Sequence, residues 1–177
     1  PLLATLLLVP TFGAFEYFRS WRYYQRTEDS FASFAAWRLT GYYNTSHNNG
    51  AMALECRDQL PLPYYAVNFV WRFPLVWNSP FSYQKLTGVN PEQDQFDMLD
   101  RFGTPEFNNE GGLFLPILDF GMVGAMVFWF GYGWIAGRLY RGFLLGSAAG
   151  LICYPVVYLS LLEVPRILYC SSTHVFP

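Results

Sequence analysis

The sequence predicts an all-α fold, a polytopic bundle of transmembrane helices with a long extracytoplasmic loop that contains short interfacial helices. Apolar residues make up 53% of the 177 residues and charged residues only 14%, against about 25% charged in a typical soluble domain. Three apolar segments each approach the ~20 residues that a membrane-spanning helix needs. Aromatic residues reach 20%, which favours membrane interfaces and sugar-binding surfaces.

The apolar segments divide the chain. Residues 1–18 are interpreted as the last part of a spanning helix whose start is missing, and residues 113–136 and 143–162 as two further spans. The short loop 137–142 carries Arg138 and Arg141 without an acid, so the positive-inside rule makes it cytoplasmic. Residues 19–112 and 163–177 are then extracytoplasmic. Arg19, Arg22 and Arg26 argue for the opposite orientation unless they are retained outside for a task.

Composition excludes some classes of function. A net charge of −2 gives no indication of nucleic-acid binding. The three cysteines and two histidines show no ligand spacing, so no metal and no cofactor are predicted. Cys56 and Cys170 form a disulfide only if both lie outside the cytoplasm, and the sequence leaves that open.

Arginines are the first candidates for substrate binding. Arg19, Arg22 and Arg26 share one helix face by their i, i+3, i+7 spacing, and Arg38 continues that surface. Guanidinium groups bind phosphate bidentately. The alternative is a juxtamembrane cluster that contacts lipid headgroups. Arg166 has the same two interpretations. Glu163, Arg166 and Tyr169 follow the third segment, where they either bind phosphate or anchor the chain at the membrane edge.

Within the stretch 39–50, LTGYYNTSHNNG, residues 44–50 are predicted to form a polar turn. Tyr42, Tyr43 and Asn44 suit sugar recognition, because amides donate and accept hydrogen bonds and ring faces pack on pyranose C–H surfaces. The alternative is an ordinary polar turn. His47 is a candidate general base, or a solvated loop histidine.

Polar residues also surround the start of the second apolar segment. Glu106 and Asn108 lie at its mouth, and Asp119 lies about two turns inside it. A carboxylate within a span is costly and usually faces a bundle interior or a cavity. Asp119 is therefore interpreted either as a paired, helix-positioning group or as a direct participant in chemistry.

The motifs Pro105-Glu106-Phe107-Asn108 and Leu118-Asp119-Phe120-Gly121 open the second segment, and the third ends in EVPRILY. This order, over about residues 15–170, resembles the C-terminal portion of the O-antigen-polymerase-like family. These oligosaccharide repeat-unit polymerases are related to the O-antigen ligases. The chain departs from the pattern in its long loop, in the polar stretch 109–112, and in lacking the other expected spans.

The resemblance implies a glycosyltransferase in the cytoplasmic (inner) membrane of a bacterium, with its large loop facing outward. It would join oligosaccharides linked to polyprenyl diphosphate without a metal, among membrane lipid and envelope-assembly partners. The arginines would hold the diphosphate and stabilise the charge that develops on it. Glu106, His47 and Asp119, in that order, are the candidates for the base that activates the acceptor hydroxyl, and Asn108 is a candidate for sugar binding.

Two alternatives remain open at this level. A ligase of the same broad superfamily would differ only in the acceptor. A non-catalytic membrane subunit, or a transporter for polysaccharide or lipid, would use the loop as a docking surface and would tolerate lysine in place of its arginines.

Overall fold

The computed structural model describes residues 2–25, 30–103 and 107–172, with the backbone alone given for residues 2–9, 12, 22 and 23. All regular structure in these ranges is helical, which confirms the all-α prediction. The helices are α1 (Leu2–Tyr24), α2 (Phe31–Cys56), α3 (Asn68–Trp71), α4 (Pro74–Trp77), α5 (Tyr83–Thr87), α6 (Pro91–Phe102), α7 (Leu115–Leu144) and α8 (Ala148–Glu163), followed by a 3₁₀ turn, Tyr169–Ser171.

The chain divides into two compact units, Pro1–Tyr42 and Tyr43–Pro177. In the first unit, a buried ion pair joins Arg38 to Glu16, which also accepts a hydrogen bond from Ser20. Around it, aromatic rings pack with centroids 4.4–6.3 Å apart. The rings belong to Tyr17, Trp21, Tyr24, Phe31 and Phe34.

The second unit has a core in which side chains from residues 57–114, named here the loop region, pack against the start of α7. Leu60, Tyr64 and Tyr83 from the loop region are buried with Leu115 and Leu118 of α7. The loop region is therefore not an extended connection but a folded layer of short helices over the end of a long apolar one.

Among the described residues, one helix, Leu115–Leu144, is long and apolar enough to cross a membrane. Only 28% of its most apolar window is buried, and Val123, Val127 and Phe130 are each more than two-thirds exposed. That exposure distinguishes α7 from the buried core helix of a soluble protein. Its partner α8 has 16 residues, fewer than a span normally needs.

Helix α8 packs tightly back on α7. A Cβ atom added at Gly150 would lie 2.7 Å from the Gly142 carbonyl oxygen, so the two backbones meet closely because both positions lack side chains. The ring of Tyr154 contacts those of Tyr140 and Phe143, with centroids 5.1 and 5.4 Å apart.

Several helix limits differ from the sequence prediction. α1 continues past residue 18 to Tyr24. α7 continues through 137–142, the predicted connecting loop, and the connection falls at residues 145–147. There Gly146 has φ +70, a conformation that a glycine adopts without strain and that ends a helix. The glycines at 137 and 142 do not break the helix.

The segment 44–50 is helical rather than a turn, because it belongs to α2. Its polar side chains have tertiary partners: Asn49 donates from Nδ2 to the Phe107 carbonyl at 2.7 Å and to that of Asn109 at 3.0 Å. A Cβ atom at Gly50 would lie 2.6 Å from the Glu110 carbonyl oxygen, so glycine here permits close packing instead of a turn.

Candidate functional site

Asp119 fastens the loop region to the start of α7. Its carboxylate accepts hydrogen bonds from the backbone N–H groups of Tyr64, Tyr65 and Ala66 at 2.8, 3.1 and 2.6 Å. The side chain is buried. Because its oxygens are used by these donors, Asp119 holds the segment 64–66 in place. This geometry matches the positioning role that the sequence left open, and it gives no support to the role of a base.

The residues next to Asp119 explain why α7 begins irregularly. Gly121 has φ +69 and ψ 178 within the helix, a conformation reserved for glycine. The interruption coincides with a bond from the Leu60 N–H to the Leu118 carbonyl at 2.8 Å. The motif 118–121 is thus a local device that ties the loop region to the helix.

A second buried anchor joins α2 to the segment that precedes α7. Arg57 donates from Nη1 to Glu110 Oε1 at 2.6 Å, and the two side chains are only 7% and 2% exposed. Its Nη2 donates to the Tyr65 hydroxyl at 2.5 Å and to the Pro91 carbonyl at 3.1 Å. Burial raises the pKa of Glu110, and Arg57 partly offsets that rise.

The loop region also forms a groove of about 570 Å³, named here the aromatic groove. The rings that line it are those of Tyr64, Trp71, Trp77, Tyr83 and Phe96. The polar side chains of the lining are those of Asn78, Ser82, Gln84, Asn90 and Gln93, and its charged side chains are those of Lys85 and Glu92. A concave surface of rings with a few polar groups is typical of a small-molecule site.

Glu92 links the groove to a cation. Its Oε1 accepts from the Tyr64 hydroxyl at 2.7 Å and forms an ion pair with Arg72. The Arg72 and Glu92 side chains are 42% and 40% exposed, and the guanidinium lies 5.9 Å from the centroid of Trp77. Burial, followed by the neighbouring Glu92, raises the pKa of Tyr64, so this phenol remains a hydrogen-bond donor.

Arg72 also borders a smaller cavity of about 190 Å³ at the start of α7, named here the α7 pocket. Leu115, Ile167 and Leu168 supply apolar wall there, with Tyr65 and Asn68 beside them. Arg72 therefore stands between the α7 pocket and the carboxylate of the aromatic groove.

Arg166 and its neighbours come together as their spacing suggests. Arg166 Nε donates to Glu163 Oε2 at 2.6 Å, and Nη2 to the Tyr169 hydroxyl at 3.3 Å. The ion pair is about one-quarter exposed. The next two residues in the chain, Ile167 and Leu168, line the α7 pocket. Arg166 immediately precedes them in the sequence.

In the first unit the structure describes the side chains of three predicted substrate-binding residues, Arg19, Arg38 and Tyr42. Arg38 is buried and ion-paired with Glu16, and it donates from Nη2 to the Tyr42 hydroxyl at 3.2 Å. The guanidinium of Arg19 lies 5.4 Å from the centroid of the Tyr42 ring. Arg38 and Tyr42 are thus committed to the interior of this unit, which does not suit the substrate-binding role predicted for them. Arg19 remains exposed.

The other predicted residues are dispersed. Tyr43, Asn44 and His47 lie exposed on α2, and the His47 ring meets Phe114 edge-on with centroids 5.1 Å apart. Asn108 lines a cavity of about 190 Å³ that shares Glu92 and Phe96 with the aromatic groove. Two predicted residues, Glu106 and Arg26, lie outside the described residues, as does the side chain of Arg22.

Sequence reasoning missed the groove and Arg72. One signal was present: Asn90, Pro91, Glu92 and Asp94 are a typical helix start, and the structure has Asn90 accepting from the Gln93 N–H at the N-terminus of α6. That start would have placed Glu92 on a helix. No local pattern indicates that α6 packs beside α3 and α4 to form the groove.

The described residues show neither a metal-binding cluster nor a disulfide. In the described ranges no group of three or more His, Cys, Asp or Glu side chains is arranged to hold a metal ion. Cys56, Cys153 and Cys170 are free thiols, and burial raises the pKa of Cys170 to about 11. The Cys56–Cys170 disulfide that the sequence left open is not formed.

The comparisons with known proteins add no identification. The chain matches no protein-family model, no curated protein and no solved structure.

Proposed function

We propose that the protein is a membrane glycosyltransferase that polymerises lipid-diphosphate-linked oligosaccharide repeat units on the outer face of the cytoplasmic membrane. The resemblance to oligosaccharide repeat-unit polymerases supports the reaction class. A helix long and apolar enough to cross a membrane supports the location. The substrate is a polyprenyl-diphosphate oligosaccharide, and a bundle with further spans is part of the proposal.

The observation that carries the proposal is the position of Arg72. It lines the α7 pocket, which has apolar walls at the start of the membrane-capable helix. It also pairs with Glu92, which lines the aromatic groove. A polyprenyl-diphosphate sugar presents an apolar chain, then a diphosphate, then a sugar. An apolar wall, a guanidinium and an aromatic groove follow one another in the same order.

In the proposed reaction, the acceptor hydroxyl oxygen forms a bond to the anomeric carbon of the donor sugar. The bond from that carbon to the diphosphate oxygen breaks, and its electron pair leaves with the polyprenyl diphosphate. The hydroxyl proton passes to a carboxylate, for which Glu92 is the candidate because it lines the groove. Arg72 stabilises the negative charge on the leaving diphosphate.

The ion pair between Arg72 and Glu92 couples these two roles. Both side chains are substantially exposed, and exposed pairs contribute only about 0–1 kcal/mol. A multiply charged diphosphate therefore competes successfully for Arg72. Its arrival releases Glu92 from the guanidinium, so the carboxylate is free to accept a hydrogen bond from the acceptor hydroxyl when the donor is bound.

Arg72→Ala tests the proposal in cells that make the polysaccharide. We expect the ladder of long chains to disappear while the amount of protein in the membrane is unchanged. Arg72→Lys should recover little, because an ammonium cannot form the bidentate contact. Arg101→Ala is the matched control, since Arg101 is an exposed arginine of the same unit that borders a different cavity. A normal ladder in Arg72→Ala cells contradicts the proposal.

The same cells separate the alternatives. If the protein were a ligase, Arg72→Ala cells would still make long chains on the polyprenyl carrier and would lose only the transfer of those chains to another acceptor. A transporter or non-catalytic subunit would leave Arg72→Lys fully functional, because it needs charge without fork geometry.

The outward orientation has its own test. A cysteine introduced at Asn48, which is exposed on α2, in a variant whose three native cysteines are replaced by serine, should react with an impermeant maleimide in intact spheroplasts. Labelling only after lysis would place this part of α2 on the cytoplasmic side.

A further inference from the structure

We infer that the aromatic groove binds a pyranose ring of an uncharged oligosaccharide, with Trp77 and Phe96 packing on the sugar and Glu92 accepting from its hydroxyls. This inference rests on the proposed function in its choice of substrate class. Its test is a binding measurement that does not depend on chain extension.

Two of the lining rings are substantially exposed. Trp77 is 47% exposed and Phe96 is 63% exposed, although both belong to a folded, concave surface. Exposed rings of this size retain apolar area that a ligand can cover. The C–H face of a pyranose offers a flat apolar surface for that purpose, while its edge remains polar.

The floor of the groove is already fixed without a ligand. The rings of Tyr64 and Tyr83 are buried and meet at 4.9 Å, and Trp71 meets Tyr83 at 5.1 Å. The Tyr83 hydroxyl donates to the Leu62 carbonyl at 2.8 Å, and Trp71 Nε1 donates to the Pro63 carbonyl at 2.7 Å. A rigid floor lowers the entropic cost of binding.

Polar groups stand where a sugar edge needs them. Both contacts of Glu92 with its protein partners use Oε1, which leaves Oε2 to accept from a hydroxyl. The exposed amides of Asn78 and Gln84 each supply a donor and an acceptor. Lys85 and Glu92 both line the groove and carry opposite charges, and Glu92 is also paired with Arg72, so this lining favours an uncharged ligand.

The dimensions suit more than a single ring. The groove has a volume of about 570 Å³, within the usual range of small-molecule sites. The adjoining cavity of about 190 Å³ shares Glu92 and Phe96 and brings in Asn108. A second sugar unit therefore continues from the groove towards Asn108.

The test uses the full-length protein in nanodiscs on an array of lipid-free microbial oligosaccharides, both uncharged and acidic. We expect binding to uncharged members, with about tenfold weaker affinity in Trp77→Ala and in Phe96→Ala, as loss of a packed ring gives. Phe102→Ala is the matched control: it removes another exposed phenylalanine of α6 that does not line the groove. Its affinity should equal that of the wild type.

Three results overturn the inference. They are no binding to any uncharged member, binding only to acidic members that salt abolishes, and equal affinities for Phe96→Ala and Phe102→Ala. Misfolding of the tryptophan variant does not affect the comparison between the two phenylalanine variants. If the protein binds the oligosaccharide but does not extend chains, the proposed function is refuted and the groove assignment stands. If it extends chains but Phe96→Ala has unaltered affinity, the groove assignment is refuted and the proposed function stands.

Discussion

Replacing Arg57 by alanine tests the buried ion pair that supports the candidate site. The Arg57 and Glu110 side chains are 7% and 2% exposed, so the change leaves a carboxylate inside the protein without its cation. Removing one partner of a buried pair costs about 3–5 kcal/mol. For a chain of this length that corresponds to a decrease of about 6–20 °C in the midpoint of thermal unfolding.

The loss should depend on pH. Burial raises the pKa of Glu110 above its ordinary value near 4.5, so the folded state holds this proton more tightly than the unfolded state. The contribution of the group to stability is then largest at low pH and is lost as the pH rises through the raised pKa. Without Arg57 the pKa of Glu110 rises further. The difference in unfolding midpoint between Arg57→Ala and wild type should therefore widen from pH 5 to pH 8.

Tryptophan fluorescence during heating of the detergent-solubilised protein provides the assay. Arg101→Ala should change the unfolding free energy by less than about 0.5 kcal/mol, because Arg101 is exposed. Replacing both Arg57 and Glu110 by methionine should recover most of the loss, since no buried charge remains. A midpoint for Arg57→Ala equal to that of wild type at pH 8, or a gap that narrows as the pH rises, refutes the reasoning.

Three further predictions follow from other parts of the structure. Asp119→Asn should lower the unfolding free energy by about 2–4 kcal/mol, because charge-assisted bonds to backbone N–H groups are weakened. Exposed Asp97→Asn is the control, and equal effects of the two changes in thermal unfolding would contradict the clamp. Gly50→Ala should destabilise by about 1–3 kcal/mol, since its Cβ would lie 2.6 Å from the Glu110 carbonyl oxygen, whereas Gly133→Ala meets nothing within 4 Å and should not destabilise. Reversed effects on the unfolding midpoint would exclude the close packing at Gly50. Val127→Arg should reduce the protein retained in carbonate-washed membranes, because an arginine at a span centre costs about 3 kcal/mol; unchanged retention would argue that α7 does not cross the bilayer.

Features that depend on the average hydrophobicity of a long segment can be predicted from the sequence. The all-α class and the positions of α7 and α8 follow from long apolar runs. Asp119 was recognised as anomalous because a carboxylate in such a run needs a partner. Its partners are the backbone N–H groups of residues 64–66, which leave no signature in the sequence.

Features that depend on tertiary contacts were read wrongly or missed. The polar composition of residues 44–50 indicates a turn, but Asn49 and Gly50 owe their helical state to backbone groups about 60 residues away. Arg38, predicted to bind phosphate, pairs with Glu16 across 22 residues, and no local spacing indicates that partner. Arg72 had no distinguishing spacing, and only packing places it between a cavity and a carboxylate.

Chain extension by the purified full-length protein tests the central claim most directly. The protein is incubated in liposomes with a polyprenyl-diphosphate oligosaccharide carrying a labelled sugar, without added metal, and the products are separated by size. We expect a ladder spaced by one repeat unit, with free polyprenyl diphosphate released at each step, and neither product with Arg72→Ala. Unaltered substrate after incubation with wild-type protein of confirmed fold, or an identical ladder from Arg72→Ala, would contradict the proposed polymerase activity.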